Sequence, residues 1–384
     1  ELIRYQDRLS QYFLVALLFI ATASGISWYF IDPSAVFRVV VAVLIVACPC
    51  ALALSAPFTL GNTMRTLGKT GLYLKNTSVV EALTTIDTIV LDKTGTLTMG
   101  QPELKEIVIL RSGFLERDAL AIAAALEAGQ KHPLALSILR AVELENVTPV
   151  KLSNSVSNLL GKGLSSGSYR LGSADWLGLL QDGMNSSDGQ YGQVYLADEQ
   201  GVIASFVFLD APRPGLENLL QAVKRKNIRV HLVSGDNTHT VAWWAKLVGI
   251  EDYRGACSPE DKFDYIERLQ KDGRFVWAIG DGVNDAPLLA RADVSVAVGA
   301  GAPLAAAGAD AILTANSLEP LAKALTLADK TQTIIKQNLL WALVYNVLAI
   351  PAAMLGLVNP WIAGIGMSLS SLAVTLNAWR LRKA

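Results

Sequence analysis

The residues with the most specific chemistry in this 384-residue chain stand together at positions 92 to 98, in the sequence DKTGTLT. They follow an apolar run, residues 88–91, that is typical of a buried strand. A carboxylate at the carboxyl end of a strand in an open α/β sheet points into the crevice where ligands bind. Asp92 could therefore accept a phosphoryl group covalently, with Lys93 and the threonine hydroxyls beside the phosphate. A polar turn after a core strand is the less specific alternative.

A second polar string, GDGVNDAP at residues 280–287, follows another apolar run, residues 274–279. Asp281, Asn284 and Asp285 would place hard oxygen atoms just beyond a strand, and Mg²⁺ prefers such ligands. An acidic turn that caps the next helix would explain one aspartate but not the whole string. The two strings together indicate phosphate chemistry that depends on a divalent cation.

The composition indicates a membrane protein. Hydrophobic residues make up 52% of the chain and charged residues 17%, below the ~25% that is typical of soluble domains. Four charge-free segments are each close to the ~20 residues that span a bilayer as a helix. The segments are residues 12–31, 39–64, 338–358 and 361–379. We therefore predict four membrane helices, in contact with lipid, around a polar middle.

The distribution of basic residues predicts the orientation. Arg4 and Arg8 precede the first segment, Arg65 and Lys69 follow the second, and further basic residues follow the fourth. By the positive-inside rule, both ends and the polar middle are cytoplasmic. The net charge of −1 indicates no nucleic-acid partner.

Strand and helix patterns alternate through the polar middle, which predicts a parallel, doubly wound α/β sheet. More than a hundred residues separate the first strand from the others, so we predict an inserted α+β domain between them. The predicted division has two membrane helices, a first part of the phosphorylation domain, a nucleotide-binding domain, a second part of the phosphorylation domain, and two more membrane helices. The corresponding ranges are 1–63, 64–100, 101–208, 209–330 and 331–384.

DKTGTLT and GDGVNDAP match the two signatures of the P-type ATPases, whose phosphorylation domain is of the haloacid dehalogenase type. The resemblance implies that Asp92 is phosphorylated by ATP. It also implies that Asp281, the Asp92 carboxylate and the Thr94 carbonyl hold Mg²⁺, and that Lys262, in PEDK, contacts the phosphoryl group. The catalytic set is then Asp92, Lys93, Thr94, Thr96, Lys262 and Asp285.

The same resemblance implies a set of nucleotide contacts. Ser234-Gly235-Asp236 stands where the family has Thr-Gly-Asp, and Asp210 and Arg213 match its hinge motif. His132-Pro133 matches the His-Pro element of the heavy-metal subgroup, although a surface histidine that opens a helix is the simpler interpretation. Gln130 and Ser173 depart from the family pattern. The other expected cofactor-binding residues are Glu127, Gly161, Gly163 and Asn284.

Cys48-Pro49-Cys50 lies in the middle of the second apolar segment. Proline interrupts the helical hydrogen bonds, so unwound backbone could bring both sulfurs to one ion. Two thiolates favour a soft ion, with copper(I) and zinc as the leading candidates. A buried pair of structural cysteines is the alternative. The heavy-metal (CPx) branch of the P-type ATPases carries this motif at this position.

Tyr345-Asn346 and Met367-x-x-Ser370-Ser371 match the copper(I) group of that branch, although such residues also serve helix packing. The resemblance implies ATP-driven export of Cu⁺ with ATP and Mg²⁺. It also implies a copper chaperone as a candidate donor and a bacterial inner (plasma) membrane as the location. Zinc or cadmium transport is the alternative within the branch.

The sequence contains no Thr-Gly-Glu, the loop that dephosphorylates these pumps, and no Cys-x-x-Cys metal-binding domain. The resemblance therefore implies the C-terminal part of a longer pump, without its actuator domain. Two other classes remain as alternatives: a soluble phosphatase of the haloacid dehalogenase type and a non-catalytic membrane metal sensor.

Overall fold

The computed structural model describes residues 2–46, 50–159, 162–174, 176–178, 192–281, 285–299 and 308–383. The two ends of the chain form a layer of long apolar helices. They are α1 (Leu2–Ile31), α2 (Val36–Val46), α3 (Cys50–Gly68), α11 (Glu319–Met354) and α12 (Pro360–Trp379). Of the described helices, those at Glu319–Met354 and Pro360–Arg382 are long and apolar enough to cross a membrane, and Val15–Ile31 and Pro33–Val46 are shorter apolar segments.

The structure describes helices in all four predicted membrane segments. The predicted segment 39–64 overlaps α2 and α3, and residues 47–49 lie outside the described residues. The predicted segment 338–358 is only the apolar half of the 36-residue α11. Hydropathy missed the first half of that helix because it carries charged residues such as Asp329 and Lys330.

The part of the chain between the N-terminal and C-terminal helices forms a seven-stranded sheet. Its order is β1-β13-β12-β11-β2-β9-β10, and every neighbouring pair is parallel except the edge pair of β1 and β13. The strands are β1 (Leu72–Leu74), β2 (Thr88–Asp92), β9 (Arg229–Val233), β10 (Asp252–Arg254), β11 (Val276–Gly280), β12 (Val294–Val298) and β13 (Ala311–Leu313). The predicted doubly wound sheet is confirmed.

Alternate residues of the central strands are buried on opposite faces of this sheet, because successive side chains of a strand point to opposite sides. Ile89 and Leu91 pack with α7, α8 and the first half of α11, whereas Val90 packs with α9 and α10. Burial on both faces explains why β2 is a continuous apolar run. The helices are α4 (Ser78–Ala82), α7 (Leu216–Arg225), α8 (Thr238–Val248), α9 (Pro259–Lys271) and α10 (Ala286–Arg291).

A second, antiparallel sheet has the order β3-β8-β7-β6-β5-β4. One face packs against α5 (Glu116–Glu127) and α6 (Pro133–Leu144) around the buried Phe206 and Phe208. The strands are β3 (Glu103–Ile109), β4 (Ser157–Leu159), β5 (Gly163–Ser166), β6 (Tyr169–Gly172), β7 (Gly192–Asp198) and β8 (Gly201–Leu209). This sheet occupies the chain between β2 and β9, so it is an insertion into the first sheet.

Candidate active site

Three strand ends meet at one edge of the parallel sheet. Asp92, the last residue of β2, is in register with Val233 of β9, and Leu91 is in register with Ile279 of β11. The loops that begin at Ser234 and Asp281 therefore lie on either side of the loop after Asp92. The polar strings that are far apart in the sequence come together because the carboxyl ends of parallel strands share one edge.

The loop after Asp92 has a tight turn at Gly95, where φ is +73°. A side chain there would be strained, and its Cβ would lie 3.2 Å from the Cβ of Asp281. The buried Arg213 also holds this turn, through hydrogen bonds to the loop backbone. It donates from Nη2 to the Gly95 carbonyl at 2.5 Å and from Nε to the Thr96 carbonyl at 3.0 Å. The loop geometry thus depends on a guanidinium more than a hundred residues away.

Lys262, near the start of α9, joins two carboxylates. Its Nζ lies 2.7 Å from Asp92 Oδ1 and 2.6 Å from Asp285 Oδ1, and all three side chains are buried. Burial alone would lower the pKa of Lys262, but the two carboxylates outweigh it and raise the pKa above its usual value. The lysine therefore stays charged next to the Asp92 oxygen.

The carboxyl group of Asp92 is a weaker acid than that of an ordinary aspartate. Burial raises its pKa to about 7, and the negative charge of Asp285 acts in the same direction. Lys262 opposes this rise but does not cancel it. A carboxylate that is both buried and surrounded by acidic groups is stabilised by any further cation that binds there.

Asp92, Thr94 and Asp281 line a cavity of about 290 Å³ at this edge. Two carboxylates and a carbonyl are hard oxygen donors, and Mg²⁺ is usually held by one or two carboxylates plus phosphate oxygens and water. Among the described residues, no group of three or more His, Cys, Asp or Glu side chains forms a ready metal site. The donor set thus fits a Mg²⁺ ion that arrives with a phosphorylated substrate.

The opposite wall of the cavity comes from the loop after β9. Asp236 forms an ion pair with Lys93 and accepts a hydrogen bond from Thr94 Oγ1 at 3.3 Å. The Ser234 hydroxyl accepts the Asp236 amide at 3.1 Å, and Gly235 also lines the cavity. Lys93 is consequently held beside the cavity by Asp236, close to the place where a phosphate would bind.

Two of the remaining predicted residues, Asp210 and Arg213, lie beside the loop that follows Asp92. Arg213 uses its guanidinium on the loop backbone, as described above. Asp210 has a buried Oδ1 with no hydrogen-bond partner in the part of the chain that the structure describes, and burial raises its pKa. Similarly, the Thr96 hydroxyl is buried without a partner among the described residues. A role of Asp210 and Arg213 at the nucleotide stays a prediction.

The His132-Pro133 element opens α6, as the simpler interpretation expected, and also forms a pair. His132 Nδ1 accepts the Ala135 amide at 3.2 Å, and Pro133 occupies the first helical turn. His132 Nε2 lies 3.1 Å from Glu127 Oε2. Burial raises the pKa of Glu127, and His132 opposes that rise. The half-exposed imidazole therefore has a fixed orientation at the surface of the inserted domain.

Gly163 begins β5 at a very close approach of two strands. It is in register with Gly172 of β6, and a Cβ on Gly163 would lie 2.2 Å from the Leu171 carbonyl oxygen. The packing of β5 on β6 alone therefore explains this glycine. Gly161 and Asn284, also predicted as cofactor-binding residues, lie outside the described residues.

The described residues among those predicted for the transported metal lie on three helices, α3, α11 and α12. Tyr345 of α11 points its hydroxyl at α12, where a Cβ on Gly366 would lie 2.9 Å from it. The buried Ser370 of α12 accepts a hydrogen bond from Trp341 Nε1 at 3.2 Å, so it is already used in helix packing. Asn346 and Met367 are half-buried on α11 and α12. Cys48 lies outside the described residues, and only the backbone of Cys50 is described.

Cys257 is a residue at this site for which the sequence predicted no role. It lines the same cavity as Asp92 and Lys262, and burial raises the pKa of its thiol. It stands one residue before Ser258, which caps α9 and accepts the Asp261 amide at 3.1 Å. Its closeness to the PEDK string was the available signal.

Comparison with known proteins agrees with this geometry. A family model described as haloacid dehalogenase-like hydrolase matches residues 86–293, and a second model with the same description matches residues 264–325. Copper-exporting P-type ATPases of Mycobacterium tuberculosis (strain ATCC 25618 / H37Rv) and Bacillus subtilis (strain 168) are each 35% identical to the chain. The alignments cover 99% of this chain and 51% and 49% of those proteins, so it spans about half the length of the curated relatives it matches.

Solved structures give the same result. A zinc-transporting PIB-type ATPase in its E2.Pi state is 26% identical, with a TM-score of 0.79, over 99% of this chain and 66% of that one. The catalytic domain of the CPx-ATPase CopB-B is 32% identical, with a TM-score of 0.57, over 68% of this chain and 98% of that one.

The fold and the site define a haloacid dehalogenase-like hydrolase whose sheet carries an inserted domain. Two facts assign the chain to a narrower class: the two long apolar helices that follow the sheet, and the relatives that the chain matches. The chain belongs to the heavy-metal (CPx) branch of the P-type ATPases. This membership favours the P-type ATPase prediction over the two alternatives, a soluble phosphatase and a non-catalytic sensor.

Proposed function

We propose that this chain carries the phosphorylation, nucleotide-binding and ion-translocating parts of a pump that exports copper(I) across a bacterial inner membrane. The observation that supports the proposal most strongly is the contact between Asp92 and Lys262, in a cavity fitted to phosphate and Mg²⁺. A phosphoryl acceptor in this position is what coupling through an aspartyl phosphate requires.

In the proposed reaction, an Asp92 carboxylate oxygen attacks the γ-phosphorus of ATP. The new P–O bond forms as the bond to the ADP oxygen breaks, so ADP is the leaving group. Lys262 and Lys93 place positive charge beside the transferring phosphoryl group, and Asp285 and Asp236 hold the two lysines. Mg²⁺, when held by Asp92, Asp281 and the Thr94 carbonyl, would neutralise the negative charge of the phosphate oxygens.

The nucleotide is proposed to reach Asp92 from the inserted domain. Glu127 and His132 form a fixed pair there, and the segment 209–214 connects this domain to the loop after Asp92. The Met99 amide donates to the Ala211 carbonyl at 2.9 Å, and the Arg213 amide donates to the Leu97 carbonyl at 2.8 Å. A change in the angle between the two domains would therefore act directly on the phosphorylated loop.

The proposed cargo is Cu⁺, bound by Cys48 and Cys50 as soft thiolate ligands, with Tyr345, Asn346 and Met367 as further proposed metal-site residues. Ser370 is a weaker candidate because its hydroxyl already accepts the Trp341 indole. The copper-exporting relatives support this choice. Zinc is the second candidate, since the zinc-transporting structure has a TM-score of 0.79 against this chain.

One experiment tests both the mechanism and the cargo. The intact protein is incubated with ATP that carries a radioactive γ-phosphate, in the presence of Cu⁺ or Zn²⁺, and acid-stable label is counted. We expect Cu⁺ to raise labelling, Asp92→Asn to abolish it, and Cys48→Ser with Cys50→Ser to remove the metal dependence. Label that persists in Asp92→Asn would refute the mechanism. Stimulation by Zn²⁺ but not by Cu⁺ would identify zinc, and not copper, as the transported ion.

A further inference from the structure

A cavity that plays no part in the proposed cycle lies between the middle of α11 and the end of α12. Its volume is about 320 Å³, and it is lined by Lys330, Thr333, Ile334, Gln337, Arg380 and Leu381, together with Asp329. On α11 it lies just before the charge-free stretch that begins at Asn338. Its other side is formed by Arg380 and Leu381, which directly follow the end of α12 at Trp379. This is the level at which lipid headgroups would surround the two helices.

The cavity combines an apolar floor with a basic mouth. Ile334 and Leu381 are buried at 6% and 1% exposure, whereas Lys330 and Arg380 are exposed. Asp329, the acidic side chain at this cavity, is already paired with Lys226 Nζ at 2.7 Å. Two positive charges therefore face a cavity whose acidic group is already paired with Lys226, the residue that follows α7.

The groups at the mouth have capacity for a further ligand. Arg380 donates one hydrogen bond from Nη1, to Asn377 Oδ1 at 2.9 Å, and Lys330 has no ion-pair partner among the described residues. Planar guanidinium groups bind phosphate oxygens with two parallel hydrogen bonds, and a lysine adds a point charge. The geometry is thus suited to a phosphodiester.

The residues next to the cavity are of the types that are enriched at a membrane surface. Trp379 directly precedes Arg380 in the sequence and is 52% exposed. The Arg382 guanidinium lies 5.2 Å from the centroid of its ring. Tryptophan is enriched at the boundary between lipid and water. Leu340 and Leu376, which are 63% and 49% exposed, continue the apolar surface away from the cavity. A molecule with a charged head and an apolar body fits this arrangement better than a free anion does.

We propose that this cavity binds the headgroup of an anionic phospholipid of the cytoplasmic leaflet. Lys330 and Arg380 contact its phosphodiester, and Ile334 and Leu381 contact the start of its acyl chains. Basic pockets between membrane helices on the cytoplasmic side bind such headgroups in other membrane proteins. The proposal requires that α11 and α12 cross a membrane, but it does not depend on the identity of the transported ion.

The test uses the complete natural protein, purified in detergent, with phosphatidylglycerol or phosphatidylcholine added, and bound lipid is counted by native mass spectrometry. We expect phosphatidylglycerol to bind more tightly. We also expect Lys330→Gln with Arg380→Gln to weaken its binding roughly thirtyfold, since each basic group near an anionic surface contributes about 1 kcal/mol. Phosphatidylcholine binding should not change.

Lys336→Gln is the matched control, because Lys336 is exposed on the same helix but does not line the cavity. Its variant should bind phosphatidylglycerol normally, and the double variant should still form phosphoenzyme. Three results would overturn the proposal. They are equal weakening by Lys336→Gln, displacement of the lipid by inorganic phosphate at the same concentration, and no phosphatidylglycerol binding by the unmodified protein.

Discussion

Lys262 Nζ lies 2.6 Å from Asp285 Oδ1, about as close as its 2.7 Å contact with Oδ1 of Asp92, the proposed phosphoryl acceptor. Asp285 therefore anchors the lysine from one side, so that its charge is already in place before a phosphate arrives. Preorganised charge of this kind lowers the barrier to phosphoryl transfer without a reorganisation cost during the reaction.

Replacing this lysine should slow phosphorylation with little effect on nucleotide binding. We expect Lys262→Met to lower the rate of phosphoenzyme formation roughly 100-fold or more, the usual cost of losing one preorganised charge. ATP affinity should stay nearly constant, because Glu127 and His132 lie in the other domain. Rapid-quench labelling and equilibrium ATP binding measure the two effects. Lys271→Met, at the exposed end of the same helix, should be neutral, and a similar loss there would contradict the assignment.

The second prediction concerns pH and Mg²⁺. Because the pKa of Asp92 is raised to about 7, its protonated form is favoured below that pH, while both attack on phosphate and Mg²⁺ binding need the carboxylate. At limiting Mg²⁺, phosphoenzyme formation should therefore rise with pH up to about 7 and then level off. Without Mg²⁺, the free energy of unfolding should fall as pH rises from the ordinary aspartate pKa of 3.8 toward about 7, because ionising Asp92 in the folded state is unfavourable.

Thermal unfolding with and without Mg²⁺ measures the second half of this prediction. The stabilisation by Mg²⁺ should grow as pH rises through about 7. Asp92→Asn serves as the control, since an amide does not titrate, and the Mg²⁺ effect on this variant should lose its dependence on pH in that window. An unchanged dependence in Asp92→Asn would assign the titration to another group.

Arg213 gives a third prediction, and it separates two roles. Its guanidinium binds the Gly95 and Thr96 carbonyls, so Arg213→Ala should disorder the loop after Asp92 and lower the phosphorylation rate roughly tenfold or more. If the guanidinium serves only this loop, ATP affinity should not change. Arg225→Ala, an exposed arginine on α7, is the control. A loss of ATP affinity that equals the loss of rate would favour the nucleotide role.

Much of the fold follows from local pattern, and the site follows only in part. The sequence of β2, β9 and β11 predicts each strand, because all three are largely apolar runs, and β2 and β11 are buried along their whole length. The edge strands β1 and β10, and β13 next to β1, have three residues each, too few to show any periodicity, and the sequence did not predict them. The doubly wound fold with an inserted domain is nevertheless confirmed.

The partners of individual side chains were the least predictable part. Lys262 is 170 residues from Asp92, and only the resemblance of the PEDK string connected them. The carbonyls that Arg213 binds point toward its guanidinium only because the chain turns at Gly95. No local sequence pattern predicted a role for Cys257, because its position in the cavity depends on the path of the chain between β10 and α9. Such contacts are set by tertiary packing and not by local sequence.

The last prediction tests His132, which has both a structural and a functional interpretation. Its Nδ1 caps α6, and its Nε2 lies beside the buried Glu127. Asparagine is a good helix cap, so His132→Asn should preserve α6 but remove the imidazole, whereas His132→Ala should also cost about 1 kcal/mol of stability. If the imidazole positions ATP, both variants should lose ATP affinity by a similar factor, roughly tenfold. If it only caps the helix, His132→Asn should bind ATP normally and His132→Ala should be the weaker of the two. Binding of ATP by calorimetry, together with the unfolding midpoint of each variant, distinguishes these outcomes.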